Sequence, residues 1–192
     1  MNNIKLIVGL ANPGLKYIKT RHNIGSLYVN LLADSFNVKL KQEKKFFGFT
    51  SCINVCDKKV FLLVPTTFVN LSGISVISLA NFYSININEI LIAHDELDLL
   101  PGIIKLKFGG SLAGHNGLKS IKSNFNNSVN FYRLRIGIGR PIDKNNIVNF
   151  VLNNPTKYEN DLIKIVMKKV IDYTKIFLSN ELVNCSRIFK AL

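Results

Sequence analysis

Histidine and cysteine are scarce in this 192-residue chain, with three of each. The histidines stand at 22, 94 and 115, and no pair has helical or zinc-like spacing, which excludes a recognisable metal motif. Cys52, Cys56 and Cys185 are an odd number, so no disulfide framework is expected and the thiols read as reduced and structural. Acidic side chains are also few, 12 against 25 lysines and arginines, which leaves a net charge of +13. That excess points to an anionic partner, nucleic acid being the common one. The competing reading is compositional drift, since the chain is rich in Lys, Asn and Ile and its lysines are scattered. No charge occurs from Val60 to Asn88, but Pro65, Thr66, Thr67, Asn70, Ser72, Gly73 and Asn81 interrupt the run. A buried strand, a loop and a buried helix fit it better than a membrane span. The apolar stretch Ile4–Leu10 is too short for a signal-peptide core, so a cytoplasmic protein without membrane contact is expected. With no linker, repeat or low-complexity block, residues 1–192 read as a single domain with enough length for a sizeable core. No surface apolar stripe is visible, and a monomer is expected.

What the chain does have is punctuated apolar runs. Lys5–Leu10 reads as a buried strand ending in Asn-Pro-Gly, and Ile24, Leu27, Tyr28, Leu31 and Leu32 recur at helical spacing within 23–36. Residues 47–55 and 60–64 form a hairpin pair around Asp57-Lys58-Lys59, and 71–83 a helix. Asn88 is placed to cap a turn before a strand at 90–93. Clean alternation makes strands of 104–108 and 132–138, and 119–124, 145–152 and 158–178 complete the set as helices. Strands alternating with helices predict an α/β domain with a twisted, mixed and largely parallel sheet flanked by helices. Such folds carry their chemistry in loops at the carboxyl ends of strands. Asn12, Asp95 and the 109–116 loop all fall just after predicted strands.

Three segments place Asn or His beside Gly or Pro: Gly9–Gly14 followed by Thr20–Asn23, Pro65–Gly73, and Gly109–Lys119. Glycine lets backbone approach a ligand, and an asparagine amide both donates and accepts, so the three imply one composite site for a polar substrate. His22 opens a predicted helix, where positive potential favours the neutral imidazole. Asp95 at a strand end is suited to accept the Nδ1 proton of a histidine and leave Nε2 for a water. The plainer alternative is a surface acid and a helix-capping histidine. Gly109-Gly110-Ser111-Leu112-Ala113 approaches a nucleophile elbow, but its last glycine is Ala and the strand before it is half polar. Lys105 and Lys107 share one strand face and Arg133 and Arg135 another, either a four-cation patch for phosphates or a solvated sheet face.

Taken in order, the segment Lys5–Gly14, the stretch Tyr17–Asn23, Val64-Pro65-Thr66-Thr67-Phe68, His94-Asp95-Glu96-Leu97-Asp98, Gly114-His115-Asn116-Gly117-Leu118 and Phe131–Gly139 resemble the bacterial peptidyl-tRNA hydrolase family over essentially the whole chain. The resemblance implies hydrolysis of the ester between a stalled nascent peptide and the ribose of tRNA, with peptidyl-tRNA as the partner and no cofactor or metal. It implies His22 as general base, Asp95 as the group that orients it, and Asn12 as the discriminator between a blocked and a free amine. Tyr17, Phe68, Asn70 and Asn116 match positions that hold the peptide and the terminal nucleotide, His115 lines the same cleft, and Lys107 and Arg135 match a phosphate clamp. The chain departs from the family pattern at Val69, commonly Met, and at Leu112 and Ala113, where small residues or glycines are usual. The family fold also serves in an organellar RNA-splicing component, so an RNA-binding module without turnover is the alternative.

Overall fold

The computed structural model describes residues 4–178; Cys185 lies outside the described residues. Seven strands, β1 (Leu6–Gly9), β2 (Lys41–Glu43), β3 (Gly48–Val55), β4 (Lys58–Pro65), β5 (Ile90–Glu96), β6 (Ile104–Phe108) and β7 (Tyr132–Gly137), form one sheet in the order β2-β3-β4-β1-β5-β7-β6. The centre is parallel (β4-β1-β5-β7), and both flanks are antiparallel. The helices are α1 (Ile24–Ser35), α2 (Ser72–Phe82), α3 (Asn116–Asn124), α4 (Ile147–Leu152) and α5 (Lys157–Leu178). The mixed α/β class expected from the sequence is the one observed. No helix among the described residues is long and apolar enough to cross a membrane.

Alternation along the central strands builds a core on each side of the sheet. Ile7 and Leu91 pack with Tyr28, Leu32, Val166 and Val170 of α1 and α5. Leu6, Val8, Ile90 and Ile92 pack with Val76, Leu79, Leu118 and Ile121 of α2 and α3. The charge-free run from Val60 to Asn88 is thus explained by burial, as β4 and α2. The Tyr28 hydroxyl meets Thr174 Oγ1 at 2.8 Å and ties α1 to α5 within the first core.

Strand β2 is not among the expected elements, α4 begins at Ile147 rather than at 145, and four further differences stand out. The β3–β4 turn is Cys56-Asp57, both with left-handed φ, so β4 starts two residues earlier than predicted. Asn86, not Asn88, caps the turn before β5, in a reciprocal box with Glu89. Strand β5 runs on through His94, Asp95 and Glu96, because parallel pairing to β7 continues to Glu96↔Gly137. Asp95 therefore stands inside the strand rather than after it. Finally, α3 begins at Asn116, three residues early, because the His115 imidazole caps it.

Two glycines set how closely α1 meets the sheet. A Cβ on Gly25 would lie 2.3 Å from the Ala93 carbonyl oxygen, and one on Gly9 2.4 Å from that of Gly25. Backbone therefore touches backbone where α1 crosses β1 and β5. This close approach holds the residues just ahead of α1 over the carboxyl ends of the two strands. The chain leaves β1 for α1 on one sheet face and β4 for α2 on the other, so a crevice opens there, as in other doubly wound sheets.

Candidate active site

A cleft of about 420 Å³ occupies that crevice, lined by Asn12, His22, Val69, His94, Asp95, Leu112, Ala113, Gly114, His115, Asn116 and Arg140, with α4 supplying an apolar wall. His22 sits in a 3-10 turn (Arg21–Asn23) that is anchored from outside. Arg21 donates to the carbonyls of Phe150, Asn153 and Asn154 and pairs with Glu159 at 2.7 Å. From the other side, the Asn23 amide donates to the Asn12 carbonyl and accepts its N–H, both at 2.9 Å. The turn can hardly move without breaking buried hydrogen bonds.

Asp95 Oδ1 receives two imidazoles, His22 Nδ1 at 2.8 Å and His115 Nε2 at 3.0 Å. Tautomers follow from the remaining contacts. His115 Nδ1 accepts backbone N–H from Gly117 and Leu118, so its proton is on Nε2 and points at Asp95. His22 donates from Nδ1, which leaves Nε2 as a lone pair facing the cleft. Burial pulls the His22 pKa down, but the charge and hydrogen bond of Asp95 outweigh burial and hold it above the ordinary histidine value. Position at a helix start, which favours the neutral ring, is therefore overridden by the carboxylate. Burial alone would raise the Asp95 pKa; the two histidines instead hold it far below the usual carboxylate range.

His22, Asp95 and His115 also present three metal-type donors close together. A metal on His115 Nε2 would need the proton on Nδ1, where it would point at the Gly117 and Leu118 N–H groups. The ligand set conflicts with the backbone around it, and the arrangement fits a hydrogen-bonded relay better.

Asn12 Oδ1 accepts the Val69 N–H at 3.0 Å, which fixes the amide and leaves Nδ2 as a donor toward the cleft. Since the contact uses main chain, valine in place of methionine at position 69 leaves it intact. Asn116, first residue of α3, lines the same cleft. Phe68 and Asn70 are exposed on either side of Val69, and Tyr17 is half-buried beneath Lys16; none of the three lines the cleft. Leu112 and Ala113 do line it, Ala113 with φ of 48°.

The cation patch is smaller than expected. Lys107 lies opposite Arg133, and Lys105 opposite Arg135, on one sheet face. However, Arg133 is buried beneath the 109–111 loop and donates to the carbonyls of Gly109 and Ser111, at 2.7 Å for Ser111. Its guanidinium is consumed in holding the loop. Arg135 keeps part of its head free while Nε pairs with Glu96 at 2.8 Å. Ser111, the elbow candidate, is exposed outside the cleft, with its hydroxyl accepting the Ala113 N–H. Strand β6 is an antiparallel edge, so no strand-to-helix elbow forms.

Asn23, Glu96 and Arg140 carry no role in the sequence reading. Asn23 and Glu96 were within reach, since each follows a singled-out residue, His22 or Asp95, in the same motif, whereas Arg140 had no pattern to mark it.

An imidazole oriented by a buried carboxylate, in a crevice that two asparagine side chains line, is an arrangement chemically suited to activating water, as α/β hydrolases do. The family model for peptidyl-tRNA hydrolase matches residues 6–191. A peptidyl-tRNA hydrolase of Photorhabdus laumondii is 57% identical over 194 residues, spanning all of this chain and 99% of the relative. One from Proteus mirabilis is 54% identical and spans all of both. The crystal structure of peptidyl-tRNA hydrolase from Acinetobacter baumannii matches with a TM-score of 0.94 at 41% identity, covering all of this chain and 96% of that one. The chain belongs to the peptidyl-tRNA hydrolase family.

Proposed function

We propose that this chain hydrolyses the ester joining a peptide to the terminal ribose of tRNA, acting as a cytoplasmic monomer without a cofactor. The observation that carries the mechanism is the 2.8 Å contact from His22 Nδ1 to Asp95, which leaves Nε2 open in the cleft that Asn12 and Asn116 line. His22 Nε2 takes a proton from water as its oxygen bonds to the ester carbonyl carbon. Asp95 steadies the resulting imidazolium, and the Asn116 amide donates to the charge on the carbonyl oxygen. Collapse breaks the bond to the ribose oxygen, which takes the proton back from His22. The products are free tRNA and the peptide acid, which releases its proton to solvent to leave the carboxylate. The contact of His22 with Asp95 also favours turnover over an RNA-binding module, which has no use for an oriented base.

The role of Asn12 is selection of the blocked amine. With Oδ1 held by Val69, the amide offers the substrate only a donor. A peptide carbonyl near the scissile ester accepts it, whereas the ammonium of a free aminoacyl ester can only donate, finds no acceptor there and is left unpaired. Asn12→Asp keeps the Val69 contact and reverses this preference by supplying an anion. The ratio of kcat/KM for N-acetyl-aminoacyl-tRNA over free aminoacyl-tRNA is expected to fall. Both values dropping in parallel would assign Asn12 to the chemical step or the scaffold instead.

Lys107 and the free part of Arg135 form the phosphate clamp. Lys107→Ala is expected to raise KM for whole tRNA substrates and lower the salt slope of binding by roughly one unit, with minimal aminoacyl-ester substrates unaffected. Equal losses on both substrates would remove the clamp assignment. Arg133→Ala, in contrast, should disturb the 109–111 loop and lower activity on both.

A further inference from the structure

His94 is buried to 2% exposure and has no part in the mechanism above. Its Nδ1–H donates to the Asp95 carbonyl oxygen at 2.7 Å, so the proton is on Nδ1 and Nε2 is a lone pair. That lone pair has no hydrogen-bond partner. The ring stands edge-on to His115, with centroids 5.1 Å apart. On the same sheet face, His94 is opposite Arg135 in register and shares its surroundings with Arg133. Burial, with His115 and Arg133 beside it, pushes its pKa down to about 3 against the opposing pull of Asp95, so the ring stays neutral wherever the enzyme works.

An orphaned acceptor is unfavourable in a buried site, and phenylalanine would fill the same space without one. What the imidazole adds over phenylalanine is the N–H on the Asp95 carbonyl. This bond fixes the peptide plane that carries the carboxylate, and the ring backs the histidine that binds it. We propose that His94 is a positioning residue that holds Asp95 and His115 in the arrangement by which Asp95 orients and supports the base His22.

The inference rests on the hydrolytic reading of the site but is separable from it. His94→Phe keeps the ring against His115, removes the orphan and loses only the hydrogen bond. His94→Asn places an amide donor where Nδ1 stood. With N-acetyl-aminoacyl-tRNA as substrate, His94→Phe is expected to lower kcat about tenfold to a hundredfold with KM little changed, the scale of a slight misplacement of catalytic groups. The acid limb of its pH profile is expected to move toward lower pH, because a less firmly held Asp95 raises the His22 pKa less. His94→Asn should recover most of both. Titration of the His22 ring by NMR in each protein reports the same shift without turnover. If the wild-type protein released no tRNA, the function would be wrong, yet this titration would still decide the role of His94. An unchanged His22 titration in His94→Phe, or a loss of kcat that His94→Asn fails to recover, overturns the proposal. So would equal damage to kcat and KM with an unmoved pH limb.

Discussion

His22→Ala is expected to lower kcat by about 10²- to 10⁴-fold, the usual contribution of a positioned general base. Binding of tRNA should persist, since the proposed phosphate clamp, Lys107 and Arg135, lies on β6 and β7 and not on the turn that carries His22. Folding should persist too: the turn is held by Arg21 and Asn23, and the His22 side chain contributes chiefly its bond to Asp95. The measurement is single-turnover release of tRNA from N-acetyl-aminoacyl-tRNA, with affinity taken separately from a binding titration. Full activity in His22→Ala would place the base elsewhere. Ser111→Ala serves as the control for a covalent route and is expected to be silent, since Ser111 lies outside the cleft.

The second large effect is at Asp95. One carboxylate oxygen receives both His22 and His115, and Asp95→Asn takes away the charge that holds the pair. In the wild type Asp95 keeps the His22 pKa above its ordinary value of about 6.5, so activity falls away as pH drops through that raised value. In the Asp95→Asn protein only burial remains, and burial lowers the pKa. The acid limb must then move to lower pH while the plateau rate drops, because the imidazolium formed in the transition state has lost its counter-charge. A plateau loss with an unmoved limb would mean that Asp95 serves the fold and not the base.

The elements legible in the sequence are those whose pattern is set by burial. The alternation of β6 and β7 and the helical spacing of Ile24, Tyr28, Leu31 and Leu32 report directly on the core beneath α1 and α5. What fails to show is polar residues used structurally. In the sequence β5 ends at Ala93, because His94, Asp95 and Glu96 resemble a loop, yet all three are buried and paired with β7. The start of α3 reads late because a histidine cap and a glycine in the first turn carry no helix signal. Arg133 and Arg135 have the same alternation as an exposed face, and only the 109–111 loop folding over Arg133 separates the buried latch from the free cation.

For the site, resemblance supplied the cast and the structure supplied who touches whom. By resemblance His115 only lines the cleft, whereas the geometry makes it the second donor on Asp95. Asn12 is expected to face substrate, and the Val69 N–H decides which end of its amide does so. Neither relation has a sequence signature, since each joins residues from different elements through one hydrogen bond.

A His22 lone pair, held basic by Asp95, activates water for ester cleavage: on this the whole reading of the site depends. It stands or falls on the pH dependence of single-turnover tRNA release from N-acetyl-aminoacyl-tRNA, followed from about pH 5 to about pH 9. The expected result is a single rising limb with its midpoint above that of an ordinary histidine, absent from the residual rate of His22→Ala. A rate that does not vary across this range, or the same limb persisting in His22→Ala, would refute it.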